Sequence, residues 1–165
     1  LSFDPFTTRP STHYNPFFMT NTTPAGVLRY GRPINLEQAK HVAAAAEACA
    51  TANGWAMVIA IVDCAANMVV LHRQDHAQTG SIAVALAKAK SAAQFKRPTK
   101  VFEDALAAGG LGWRLLSTPG ACALEGGLPL VRNGEVIGAI GVSGMQSTQD
   151  AEAAAAGVAA LDAAG

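Results

Sequence analysis

Residues 126–144 read GGLPLVRNGEVIGAIGVSG, and the fold is read outward from this stretch. Two apolar runs, Leu128–Val131 and Val136–Val142, flank Asn133-Gly134. Asn-Gly favours a type I′ turn, because both central residues need positive φ and the turn's twist matches that of the strands it joins. The stretch therefore predicts a β-hairpin. Its second strand carries Gly138 and Gly141, and glycine inside a strand marks a bulge or a close approach by backbone or ligand. The strand ends at Ser143, placing a hydroxyl at its tip, and Ser147 and Asp150 open a helix running over 149–163. A plain core hairpin with no further role remains open at this point.

The rest of the chain supplies partners for that hairpin. Ala56–Val62 is a continuous apolar run, the pattern of a strand buried on both faces. Asp63 to Asn67 make a turn, and Met68–His72 return as a strand. Asn35 caps a first helix with Gln38 in the capping-box position, and Asn53-Gly54 stops it. Ser81–Phe95 forms a second helix with an apolar stripe of Ile82, Ala85, Leu86, Ala89, Ala92 and Ala93. Pro98 breaks the chain after it, Thr99 and Glu103 predict a cap for a short helix over 101–107, and Leu111–Leu116 adds another turn or two. Ala121–Leu124 reads as a short strand. Helices and tight hairpins in this order predict an α+β fold with a mainly antiparallel sheet, not a doubly wound one.

The chain has 165 residues and 12 basic against 12 acidic side chains, so it is long enough for one domain with a sizeable core. Without a basic face it is not expected to bind nucleic acid. No run of 18 apolar residues predicts a membrane-spanning helix. Cys49, Cys64 and Cys122 have no metal-ligand spacing and read as reduced, buried thiols. Residues 1–34 differ from the remainder: they hold five of the eight prolines and four of the six phenylalanines. Proline fixes φ and removes donors, so this arm is extended. Its aromatics predict that it packs on the domain at 35–165 or on a neighbouring subunit. The expected compartment is the cytoplasm, or a secreted or periplasmic one if a signal peptide preceded Leu1.

Four places carry candidate chemistry. His41 lies on the helix face shared by Ala44, Ala45, Ala48 and Ala52, where methyl groups replace the charges of a solvated surface. It is either a ligand for a metal or haem iron or a hydrogen-bonded interface histidine. Lys88 sits at the border of the second helix's stripe, where burial would depress its pKa and suit it to acid–base work, or where it snorkels to water. Lys96 and Arg97 put two cations at an element junction, a pattern that holds carboxylates or phosphate. His72 and His76 are four apart, but a strand end and a loop do not make a metal pair.

Several blocks together resemble the GlcG/HbpS-like haem-binding family, which includes the C-terminal domain of PduO-type proteins. They are Ile61-Val62-Asp63 with Asn67-Met68-Val69, Arg73–Ala77, Ala87–Ala92, Phe95–Thr99, and the hairpin itself followed by Asp150. The resemblance covers residues 35–165. It implies a profilin-like fold, a five-stranded antiparallel sheet packed by helices, and homo-oligomers built from dimers up to octamers. It also implies haem as a ligand in some members. Two positions depart from the family, which has glycine where this chain has Ala66 and His76.

Three functions follow. In the first, haem or a related small cofactor lies in an oligomer-interface pocket, with His41 near the iron and Lys88, Lys96 or Arg97 near the propionates. Phe95, Thr99 and Ser143 then belong to the ligand-binding set. In the second, the protein is an isomerase, tautomerase or lyase acting on a carboxylate-bearing catabolite. Arg97 would bind the carboxylate, Lys88 or His76 would move the proton, and Ser143 would stabilise an enolate. In the third, it is an accessory oligomer without chemistry.

Overall fold

Asn133 and Gly134 adopt φ of 52° and 76°, as a type I′ turn requires. They join β4 (Gly127–Arg132) to β5 (Glu135–Ser143) in the computed structural model, which describes residues 27–163. β5 is the centre of the sheet. β4 runs antiparallel along one of its edges, and β2 (Val58–Asp63) runs antiparallel along the other. β3 (Met68–Arg73) follows outside β2. Pro129, which has no N–H to donate, is tolerated because β4 pairs only with β5. Between Leu130 and Val131 the pairing shifts by one residue, leaving Ile137 as the extra residue of a bulge on β5.

The fifth strand is β1, only Arg29–Tyr30, and it pairs parallel with Glu135 and Val136 at the start of β5. The α+β architecture with a five-stranded sheet is as expected, but two details differ. The sheet is mixed rather than wholly antiparallel. Its fifth strand comes from residues assigned to the N-terminal arm, and Ala121–Leu124 is not a strand. A two-residue strand has no side-chain period to detect, and the backbone of β5 recruits it. Tyr30 fixes it further, its hydroxyl lying 3.1 and 2.8 Å from the carbonyls of Ala93 and Gln94. The predicted packing of residues 1–26 lies outside the described residues.

Helices cover both faces. α1 (Leu36–Ala52) and α4 (Ser147–Ala163) pack on one face, where Val42, Ala46, Ile59, Ile61, Ile140, Val142 and Leu161 are buried together. α2 (Ser81–Phe95) packs on the other face, where Ala85, Ala89 and Ala92 meet Val58, Ala60, Val62 and Ala139. The alternation along β2 fulfils the two-sided burial read from Ala56–Val62. α1 begins with the expected capping box, Asn35 and Gln38 exchanging hydrogen bonds of 2.9 and 3.1 Å. α3 (Lys100–Ala107) and a 3₁₀ helix (Gly110–Ser117) complete the chain. Thr99 does not cap α3 as predicted, because its hydroxyl instead accepts from the Gly127 N–H at 2.9 Å. Glu103 likewise turns to the Glu125 N–H. Among the described residues no helix is long and apolar enough to cross a membrane.

The two positions at which the resemblance implies glycine, Ala66 and His76, fall on left-handed backbone. Ala66 has φ of 65° and His76 of 68°. That conformation costs a non-glycine residue roughly 1–2 kcal/mol, while glycine gives back about 0.4–1 kcal/mol through its freer unfolded chain. His76 is exposed. His76→Gly is therefore expected to stabilise the fold by about 0.5–1 kcal/mol, read as a higher urea midpoint; a lower midpoint would show that the imidazole makes a needed contact.

Candidate functional site

The hairpin glycines bring α2 against the sheet. A Cβ on Gly141 would run into the Ala85 carbonyl and the Ala89 nitrogen, and one on Gly127 would lie 2.6 Å from the Lys88 carbonyl. Close backbone approach is thus what the glycine load of this hairpin serves. It also decides where Lys88 goes. With α2 pressed onto β4 and β5, the lysine side chain is enclosed and only 2% exposed.

Its ammonium meets two acceptors, donating to Asp150 Oδ2 at 2.7 Å and to the Val142 carbonyl at 2.9 Å. Asp150 is also buried, and its Oδ1 accepts from the Met145 N–H at 3.1 Å. It stands in the first turn of α4, where the helix dipole favours a negative charge. Burial pushes the Asp150 carboxyl above the ordinary carboxylate range. The Lys88 hydrogen bond and charge, with the Met145 and Gly144 N–H groups, pull it part of the way back. Gly126 closes over the pair with φ of 116°; a Cβ there would sit 3.0 Å from Lys88 Nζ. In this arrangement Lys88 acts as a hydrogen-bond donor to a carboxylate and a carbonyl.

Above the ion pair opens a cavity of about 370 Å³ whose lining includes Gln78, Ser81, Lys88, Ser143 and Asp150. Ser143 and Ser81 are buried with their hydroxyl oxygens 3.3 Å apart. The structure thus brings together Lys88 and Ser143 from the sequence reading. It adds Asp150, which reads as a helix-opening residue, and Ser81 and Gln78, which carry no local signal of their own. One signal was present: Ser81 and Lys88 are seven residues apart and share a helix face.

The other candidates lie elsewhere. His41 is exposed on α1, on the opposite side of the sheet from α2, and its imidazole makes no hydrogen bond within the described residues. Ala44 and Ala48 beside it are also exposed. His72 is engaged instead, its Nδ1 2.9 Å from Glu47 Oε2. His76 is exposed in the loop before α2. Phe95, Lys96 and Arg97 line a second cavity of about 260 Å³ together with Val27 and Leu28. Lys96 Nζ donates to the Leu28 carbonyl at 2.7 Å and lies 4.7 Å above the Tyr30 ring, so this cation fastens β1's approach. Arg97 is exposed, its Nε donating to the Phe95 carbonyl at 3.1 Å. Thr99 is buried, its hydroxyl accepting from the Gly127 N–H. Among the described residues no group of three His, Cys, Asp or Glu side chains is placed to hold a metal ion.

Comparison with known proteins agrees with this fold. The chain is 34% identical to the protein GlcG of Escherichia coli K12 over 110 residues, 67% of this chain and 81% of GlcG. The crystal structure of the Klebsiella pneumoniae protein ORFY superposes with a TM-score of 0.75 at 34% identity, over 82% of this chain and 94% of that one. The crystal structure of a PduOC:haem complex superposes with a TM-score of 0.70 at 27% identity, over 78% and 94% of the two chains. A family model described as haem degrading protein HbpS-like matches residues 34–159. This chain belongs to the HbpS-like family.

Proposed function

We propose that the protein binds haem, or a closely related tetrapyrrole, on a face completed by a second subunit. The observation that carries this reading is the likeness to PduOC, solved as a complex with haem, across most of both chains. The residues present fit the group. His41 offers an exposed imidazole with no hydrogen-bond partner among the described residues, flanked by methyl groups that let a flat ring approach closely. Neither of the cavities described above includes His41, and at about 370 and 260 Å³ both are small for a tetrapyrrole. A second protomer would supply the missing wall. Lys96 and Arg97 lie across the sheet from His41, so as propionate partners they would come from that neighbour. Lys88, enclosed with Asp150 under α2, stays out of the haem-binding set.

Bound haem would supply an iron centre, and the protein's part is to hold and shield it. Haemin titration checks the assignment. His41→Ala is expected to shift the Soret band and to weaken binding by about tenfold or more, equivalent to about 1.4 kcal/mol. An unchanged spectrum and affinity would remove His41 from the site.

A further inference from the structure

We infer that the cavity at the start of α2 is a second binding site, built for the carboxylate of a small organic acid. The reasoning is a count of hydrogen-bonding groups. Lys88 has three N–H donors, of which Asp150 and the Val142 carbonyl take two. Ser81 and Ser143 together have two O–H donors, and their mutual contact uses one. Among the described residues the buried walls therefore hold two donors without a protein acceptor, from side chains that are 2%, 5% and 7% exposed. The one carboxylate facing them, Asp150, already accepts from Lys88 and from the Met145 N–H. The N–H groups of Ser81 and Ile82 are already bonded to the Gln78 and Thr79 carbonyls, at 3.1 and 3.2 Å, so α2 contributes its dipole here rather than free donors.

Two unspent donors beside a helix N-terminus ask for an acceptor with two oxygens. The charge balance says which. Lys88 and Asp150 cancel, so attraction comes from dipoles and hydrogen bonds, which suit a single negative charge better than a phosphate dianion. Val84, Leu124 and Met145 form the apolar part of the wall, where a short carbon chain would lie. At about 370 Å³ the space admits a small acid and not a tetrapyrrole. The site shares no residue with the His41 face, so it stands or falls apart from haem binding.

The test is ligand-observed NMR on the haem-free protein, with butyrate as probe and uncharged butyramide as its control. Butyrate is expected to bind with a Kd on the order of 1 mM, and butyramide at least tenfold more weakly. Ser81→Ala and Ser143→Ala should each reduce butyrate affinity about tenfold. Leu124→Trp, at the exposed rim, should block it while leaving the fold's circular dichroism intact. Equal binding of the two probes, no butyrate binding at about 50 mM, or binding indifferent to all three substitutions would overturn the proposal.

Discussion

Lys88→Met is expected to destabilise the protein by about 3–5 kcal/mol, a large part of the roughly 5–15 kcal/mol that holds a domain of this size together. Methionine fills nearly the same volume, so packing is not the cause. The loss comes from Asp150, whose carboxylate is left buried with only the Met145 and Gly144 N–H groups to offset its charge. Asp150→Asn should cost a comparable amount by stranding the Lys88 ammonium. The double variant Lys88→Met, Asp150→Asn leaves no buried charge and keeps an oxygen for Met145. It should therefore be well short of additive, with a coupling of about 2 kcal/mol or more. Urea unfolding of the four proteins measures this. Strict additivity would mean that the two groups are not a pair in solution.

Gly141→Ala is expected to be nearly as damaging, at or above the upper end of the roughly 1–3 kcal/mol typical of overpacking. Overpacking is mild when a flexible side chain can move aside. Here the new methyl would meet the Ala85 carbonyl and the Ala89 nitrogen of α2, with the Ala89 Cβ 3.0 Å away. Only a shift of the whole helix relieves that contact, and the same shift would pull Lys88 from Asp150. Gly80→Ala is the matched control, since a Cβ added there meets no atom within 4 Å; it should change stability by a few tenths of a kcal/mol. Equal midpoints for the two variants would show that α2 does not lean on β5 as described.

Both effects arise where local sequence pattern meets long-range packing. The Asn133-Gly134 turn, the buried run in β2 and the helix faces are local patterns, and each appears where its period placed it. Gly138 and Gly141 announced a close approach, although the approaching groups, Val62 and Ile34 at Gly138 and α2 at Gly141, were legible only in the folded chain. Lys88 could be placed at the border of an apolar stripe, but its partner lies 62 residues away, and no spacing rule spans that distance. β1 was missed for a related reason: its pairing belongs to the backbone of β5, not to its own two side chains. Thr99 and Glu103 matched a capping motif and were drawn instead to the backbone at 125–127, where a buried and a partly buried N–H group had a stronger claim on them.

The exposed His41 bears most directly on function. Native mass spectrometry of the haemin-loaded protein, across concentrations that populate both monomer and oligomer, addresses the shared site at once. Haem is expected only on species of two or more chains, and at much lower occupancy after His41→Ala. Haem carried by single chains, undiminished by that substitution, would contradict a site shared between subunits and centred on His41.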